Sequence, residues 1–280
     1  MGTSSRWPGP RGISGTPAGE WSRIGRRLSS WRSGRLEDLD AIAEDCLGAL
    51  HRTLRADPSA FGLRDAACAG GERLAAVMDG LATGREATGR GPSDLGGNDA
   101  RTDFAARLVR AVGGDGGTIA DAAVRPAAAA TADRMATQHP EVLAANGKGW
   151  SGDLLCLIYQ WFFADVVAEF LRGVIAEKIK LVVPVLPVAD PEDHVADWVA
   201  EQVLHLVPNP CEEAEHLKNA VEQAEDAVAT FEDPTVGTLA QVARGLVPRA
   251  VGAALGLLTP PESAPEDESG AEPSEGSPAA

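Results

Sequence analysis

The sequence has few aromatic residues and few cysteines, and both shortages limit what the protein can be. Phe, Trp and Tyr together make up 5% of the 280 residues, with a single tyrosine. The four cysteines are widely spaced and include no Cys-x-x-Cys pair, which argues against a dense disulfide scaffold and the common zinc motifs. Cys156 lies in an apolar stretch and is expected to be a small core residue. Because residues 1–36 also lack the apolar run of a secretory signal, we expect a protein of the reducing cytoplasm.

The sequence also lacks the short motifs that specify catalysis or cofactor binding. It contains no Gly-x-Ser-x-Gly and no His-Glu-x-x-His, and the glycine-rich residues 84–91 lack the Lys-Ser/Thr end of a phosphate-binding loop. Glu213 and His216 form a single Glu-x-x-His pair, whereas a di-metal site in a helical bundle needs two. We therefore expect no metal site and no cofactor. Whether the protein is an enzyme stays open, with the missing motifs favouring a non-enzyme.

Lysine is scarce as well, and the charge balance is strongly acidic. Arginine outnumbers lysine 21 to 4, a bias that resembles proteins of bacteria with GC-rich genomes. The formal net charge is −16, which argues against binding of a nucleic-acid backbone by the body of the protein. An acidic body favours cationic partners, so we expect a protein partner.

Long apolar runs are absent except in one stretch, which predicts the central helix. Residues 154–164 carry no charge, but these eleven residues fall short of the roughly 18 that a membrane span needs. Asp165, Glu169 and Arg172 then recur on one stripe of a helix, opposite apolar side chains. The pattern predicts a helix over about 152–180 that is buried on all sides in its first half and amphipathic in its second.

Helical periodicity on both sides of this stretch predicts an all-α fold. We expect a multi-helix bundle around the buried central helix over residues 37–258, with a basic disordered tail over 1–36 and an acidic one over 259–280. Gly70 and Gly71 are expected to interrupt a helix. Three capping residues followed by proline predict helix starts, at Asp190-Pro191, Asn209-Pro210 and Asp233-Pro234.

One segment of the N-terminal tail has the pattern of a basic amphipathic helix. Its apolar residues are spaced i, i+3, i+7 and i+10, so they share one helical face, and arginines flank that face. The candidate interaction residues are Trp21, Arg23, Ile24, Arg26, Arg27, Leu28 and Trp31. Such a segment can lie on an anionic membrane surface or dock to a partner protein. Alternatively, it folds back on the acidic body, or it is a disordered arm whose periodicity is accidental.

The charges within the central helix are the second candidate site. If Asp165, Glu169 and Arg172 are buried, each needs a partner, and buried acids in a cleft often mark a binding or catalytic site. If they face solvent, Glu169 and Arg172 form an ordinary surface pair.

The sequence therefore leads to three functional hypotheses. The leading one is a non-enzymatic, cytoplasmic helical protein with an interaction or regulatory role. The second is an enzyme or small-molecule binder with a pocket beside the central helix. The third is a peripheral membrane protein that binds through the basic N-terminal arm.

Overall fold

The computed structural model describes residues 18–31, 36–82, 97–114, 119–140, 150–182, 190–225 and 236–258. Within these ranges the chain forms nine α-helices and one short 3-10 helix, and it forms no strand. The α-helices are α1 (Ala18–Ser30), α2 (Leu36–Ala56), α3 (Leu63–Ala82), α4 (Gly97–Val112), α5 (Ile119–Gln138), α6 (Gly152–Val182), α7 (Pro191–Leu204), α8 (Pro210–Glu225) and α9 (Val236–Ala254). The 3-10 helix, Ala60–Gly62, leads directly into α3.

The other helices are arranged around α6. This helix contacts α1, α3, α5, α7, α8 and α9. Its residues 161–168 are all buried, because apolar side chains there point in every direction around the helix. The predicted all-α bundle around a buried central helix is confirmed, and the predicted limits of about 152–180 agree closely with the observed Gly152–Val182.

The central helix also meets the length and composition requirements of a membrane span. Its segment Gly152–Glu177 has a mean hydropathy of 1.7 in the most apolar window, and 83% of that window is buried by the rest of the protein. A core helix of a helical bundle has the same composition as a span, since both are surrounded by apolar groups. Here the surroundings are other helices of the same chain.

A glycine pair allows α3 to approach α6 closely. The predicted interruption at Gly70 and Gly71 is wrong, because α3 runs unbroken over Leu63–Ala82. A Cβ atom at Gly70 would lie 2.9 Å from Cζ of Phe162, and one at Gly71 would lie 2.5 Å from Cζ of Phe163. Aromatic rings of α6 fill the space that a side chain would need, so the glycines serve packing rather than a turn.

Two of the three predicted helix starts are confirmed. Asp190 occupies the N-cap position of α7 but makes no side-chain cap hydrogen bond, and Pro191 is the first residue, where a proline loses no helical hydrogen bond. Asn209 likewise precedes Pro210, the first residue of α8. The third predicted start, Asp233-Pro234, lies outside the described residues.

The N-terminal segment differs from the expected disordered arm. Residues 18–30 form α1, and three of its apolar residues, Trp21, Ile24 and Leu28, belong to the main hydrophobic core. The indole Nε1 of Trp21 donates to Oγ1 of Thr53 on α2 at 3.4 Å. The amphipathic pattern was therefore that of a helix packed on its own protein, and the helical body extends back at least to residue 18. The rest of the predicted tails, residues 1–17 and 259–280, lies outside the described residues.

Candidate functional site

Asp165 is buried where α6 packs against α5. Only 2% of its surface is exposed. One carboxylate oxygen accepts a hydrogen bond from Oγ1 of Thr131, and the other accepts one from Nη2 of Arg134, each at 2.9 Å. The guanidinium of Arg134 also lies over the ring of Trp161, 5.6 Å from its centroid. Both oxygens of this buried acid therefore have partners from α5.

Burial changes the ionisation of Asp165. It raises the pKa of the carboxyl from 3.8 to about 6, because the charged form loses its hydration. Arg134 and the hydrogen bond from Thr131 oppose this rise, whereas the negative charges of Glu169 and Asp197 add to it. Asp165 is thus a carboxyl group that changes charge in mildly acidic solution.

Glu169 and Arg172 form a second polar group, between α6 and α7. Nη1 of Arg172 donates to Oε1 of Glu169 at 3.0 Å, and its Nε donates to Oδ1 of Asp193 at 2.7 Å. Burial raises the pKa of Glu169, and the pairing with Arg172 counteracts that effect. The Arg172 side chain keeps 39% of its surface exposed. The three candidate charges of the central helix are therefore neither all buried nor all solvated, and each has a protein partner.

These contacts connect three helices. Asp165 connects α6 to α5, and Arg172 connects α6 to α7. A buried charge that already has its hydrogen bonds satisfied contributes to the choice of packing partner and leaves little capacity for a ligand. The arrangement explains why charges occur on an otherwise apolar helix without requiring a pocket there.

The candidate interaction residues of the N-terminal segment fall into two groups. Trp21, Ile24 and Leu28 are in the core, and Trp31 is half-buried against it. Arg27 pairs with Asp45 of α2. Arg23 and Arg26 are exposed. The apolar face that would enter a membrane or a partner's groove is thus occupied by the protein itself, and two arginines remain on the surface.

The candidate metal pair is not assembled into a metal site. Glu213 pairs with Arg249 of α9. Throughout the described ranges, no three or more His, Cys, Asp and Glu side chains lie close enough together to hold a metal ion.

A surface cavity of about 520 Å³, open to solvent, lies where the C-terminal end of α2 and the start of α3 meet the C-terminal end of α9, and its Arg55, Pro58 and Arg64 are exposed. Its lining consists of two arginines and five mainly apolar residues. These are Arg55, Pro58, Arg64, Pro248, Gly252, Leu257 and Leu258. The cavity is therefore apolar over most of its wall and positively charged at the arginines.

A helix cap shapes one wall of this cavity. The N–H of Leu257 donates to the carbonyl of Gly252 at 2.7 Å, and that of Gly256 donates to Ala253 at 3.1 Å, which is the hydrogen-bond pattern of a Schellman motif. Gly256 has φ +63°, and a Cβ atom there would lie 2.5 Å from the ring of His51. Glycine is required at this position, and the cap turns Leu257 and the following leucine towards the cavity.

Both arginines of the cavity have guanidinium N–H groups that donate no hydrogen bond within the described residues. Nε of Arg55 donates to the carbonyl of Gly256 at 2.6 Å, which fixes the side chain and leaves its two Nη groups for other acceptors. Within the described residues neither Arg55 nor Arg64 forms an ion pair. The positive field extends to His51, whose pKa is lowered first by burial and then by Arg55 and Arg52. This is a cationic region on a protein of net charge −16.

The structure also contains a disulfide bond that the sequence did not predict. Cys156 of α6 is bonded to Cys211 in the first turn of α8, with 6.0 Å between their Cα atoms. Cys46 and Cys68 are unbonded. Because 55 positions separate the bonded cysteines, no spacing rule pairs them. Arg55 and Arg64 were missed because the wall that makes a cavity beside them comes from the distant end of α9.

Comparison with known proteins gives no relative: no protein-family model, curated protein or solved structure matches the chain.

Proposed function

We propose that the protein is a non-enzymatic binding protein that holds a small anionic molecule with an apolar portion in the cavity between α2, α3 and α9. One observation carries the proposal. Arg55 and Arg64 line the same cavity, and neither has an acidic partner among the described residues. A carboxylate or phosphate group would replace solvent on these exposed arginines, because guanidinium groups bind such anions through paired hydrogen bonds.

The size and lining of the cavity support this ligand class. Its volume of about 520 Å³ falls within the range of roughly 300–1,000 Å³ that is usual for small-molecule sites. Pro58, Pro248 and the two leucines provide an apolar surface beside the charges. Such a wall favours a carbon chain or ring attached to the anion, since burial of apolar area stabilises the complex.

The polar groups of the cavity favour binding over catalysis. Both are guanidinium groups, which stay protonated at neutral pH and do not serve as acids, bases or nucleophiles there. They can hold a charge in place without transferring a proton. This supports the non-enzymatic role expected from the sequence. We propose the cytoplasm as its location, where the Cys156–Cys211 disulfide would be subject to reduction.

A matched pair of probes tests the proposal. Octanoate has the anion and the apolar chain, whereas 1-octanol has only the chain. We expect octanoate to bind in isothermal titration calorimetry and 1-octanol to bind at least about tenfold more weakly, because a charge-assisted hydrogen bond contributes about 1.5–3 kcal/mol. Equal binding of the two probes would show that the arginines are not the anion site.

A pair of variants tests the residues. Arg64→Gln removes a cavity charge, and Arg244→Gln removes an exposed arginine of α9 that does not line the cavity. Octanoate affinity should fall about tenfold or more for Arg64→Gln and stay unchanged for Arg244→Gln. An equal loss in both variants would indicate a general effect of net charge and would contradict a specific site.

Two other expectations from the sequence concern α1: contact with a protein partner and binding to a membrane. A protein partner can reach Arg23 and Arg26 on the outer face of α1, so a contact there remains part of our proposal. Membrane binding through the apolar face of α1 is not favoured, because Trp21 and Ile24 are each only 1% exposed. Insertion of that face would require α1 to leave the core.

A further inference from the structure

Helix α8 contacts α6 and α9, and its first turn is joined to α6 by a covalent bond. Side chains are described over residues 210–219 of α8, and none of them belongs to the hydrophobic core. Pro210 is the one buried residue among them, and residues 215–219 are all exposed. Specific bonds from this part of α8 to the body are the disulfide between Cys211 and Cys156 and the surface ion pair between Glu213 and Arg249, beside its packing contacts with α6 and α9.

The start of α8 is stabilised within the helix itself. Oδ1 of Asn209 accepts the N–H of Cys211 at 3.0 Å, and Nδ2 of Asn209 donates to Glu212 at 3.2 Å. Glu212 and Glu213 place negative charge at the positive end of the helix. These contacts do not involve α6. The start of α8 therefore keeps its cap whether or not it is docked.

The chain before α8 is fixed. Val207 is buried, and its carbonyl accepts a hydrogen bond from Nε2 of Gln160 on α6 at 3.1 Å. Only Pro208, Asn209 and Pro210 separate this anchor from the disulfide. A movement of α8 would therefore pivot between Val207 and Cys211.

We propose that the Cys156–Cys211 bond is a thiol-controlled latch, and that its reduction releases α8 from α6. This proposal is independent of ligand binding in the cavity. The helix has no core side chain to hold it among its described residues, its cap is internal, and its preceding turn is anchored. The covalent attachment of the start of α8 to α6 is the bond that a reductant removes.

The reduction needs a dithiol as co-reactant, either a small molecule or a thiol-disulfide oxidoreductase. One thiolate attacks Sγ of Cys211, since Cys211 is half-buried and Cys156 is buried. The disulfide breaks, a mixed disulfide forms on Cys211, and the Cys156 sulfur leaves as a thiolate that takes up a proton. The second thiolate of the dithiol attacks the dithiol's own sulfur in the mixed disulfide, and Sγ of Cys211 leaves as a thiolate that takes up a proton. Two electrons and two protons then reside on the cysteines, and the dithiol has become a disulfide.

Hydrogen exchange of the full-length protein tests the latch. Amides of residues 210–219 should exchange about tenfold or more faster after treatment with dithiothreitol, while amides of α2 and α3 stay protected during the same first minutes. Unchanged exchange in residues 210–219 would overturn the proposal. Loss of protection in α2 and α3 at the same time would also overturn it, since the bond would then be a crosslink for the whole fold.

Cysteine variants and a thiol count complete the test. Cys211→Ser should show fast exchange of residues 210–219 with or without dithiothreitol, whereas Cys68→Ser, at an unbonded and half-buried cysteine, should keep the response. Alkylation of the unfolded, non-reduced protein should modify only Cys46 and Cys68. Alkylation of all four cysteines in protein purified from an oxidising medium would mean that the bond does not form, and the latch would be excluded.

Discussion

Helices α1 and α8 are both peripheral, yet they are attached in different ways. α1 inserts Trp21, Ile24 and Leu28 into the core and adds ion pairs with α2. α8 contacts α6 and α9 but contributes none of its described side chains to the core, and a disulfide and one ion pair join it to them. The sequence suggested the reverse, since α1 lies in a tail rich in arginine and glycine and α8 has a strong start signal.

The difference shows that a local helix signal does not say how a helix is held. The cap of α8 stabilises the helix itself, with a contribution of about 1 kcal/mol that is the same in a docked and an undocked helix. The buried face of α1 stabilises docking, because apolar area leaves water only when the two helices touch. This distinction explains why α1 stays packed on the body, and why we propose that α8 separates from α6 when the disulfide is reduced.

The largest expected effect on the free energy of unfolding comes from removing a core side chain that attaches α1 to the body. Trp21→Ala should lower the free energy of unfolding by about 3–5 kcal/mol, because it removes a large side chain that is 1% exposed. Urea denaturation followed by circular dichroism measures this. Arg23→Ala, on the exposed face of the same helix, is the control and should change the stability by less than about 0.5 kcal/mol. A small effect of Trp21→Ala would mean that α1 is not part of the folded body.

The next largest expected effect is on Asp165, whose hydrogen bonds join α6 to α5 inside the core. This polar attachment is compared with the attachments of α1 and α8. The raised pKa of Asp165 means that the folded state holds its proton more tightly than the unfolded state does. The cost of burying the charge is therefore fully present well above pH 6 and is relieved as the pH falls through about 6 towards 4. Asp165→Asn removes this cost and retains an acceptor for Arg134.

The pH dependence gives the measurement. The stability of Asp165→Asn relative to the wild type should improve by up to about 3 kcal/mol between pH 4 and pH 8, since each pKa unit corresponds to 1.36 kcal/mol. Asp153→Asn, at an exposed position in the first turn of the same helix, is the matched control. If the relative stability of Asp165→Asn is the same at both pH values, the ion pair with Arg134 fully offsets the cost of burial, and the pKa of Asp165 is not raised.

A smaller effect separates the ion pairs of the two peripheral helices. Arg27→Ala and Arg249→Ala each remove one partly exposed pair, and each should cost less than about 1 kcal/mol in the oxidised protein. After reduction, Arg249→Ala should further increase hydrogen exchange in α8, since the second attachment is then lost. Arg27→Ala should not change exchange in α1, because three core side chains still hold it. If the two substitutions increased hydrogen exchange equally in α1 and α8, the two helices would not differ in how they are attached.

Periodicity predicted much of the fold because helices bury one face at a fixed spacing. It located the central helix to within about two residues and identified the starts of α7 and α8. It failed at Gly70 and Gly71, where the glycine effect on helix propensity was outweighed by packing against Phe162 and Phe163. It also could not say whether the amphipathic face of α1 packs on the protein itself or on a partner, since both give the same pattern.

The candidate sites were less accessible to sequence reasoning. Asp165, Glu169 and Arg172 were noticed because they interrupt an apolar run, but their partners lie on α5 and α7. The cavity brings together Arg55, Arg64 and Leu258 from helix ends that are far apart in the chain. Each of these residues is ordinary in its local sequence, and only the packing of α2, α3 and α9 gives the group a common location.

The smallest expected effect on the free energy of unfolding comes from removing an exposed apolar side chain of α8. Leu217 is 55% exposed, so Leu217→Ala should change the free energy of unfolding by less than about 0.5 kcal/mol. Leu28→Ala, at the matched residue type on α1, should cost about 2–5 kcal/mol, because Leu28 is 5% exposed. A cost above about 1 kcal/mol would mean that Leu217 is covered in solution, and a second copy of the chain is one cover that can be tested. Light scattering on dilution would then show a dimer that Leu217→Ala weakens, and α8 would be held by apolar contacts after all.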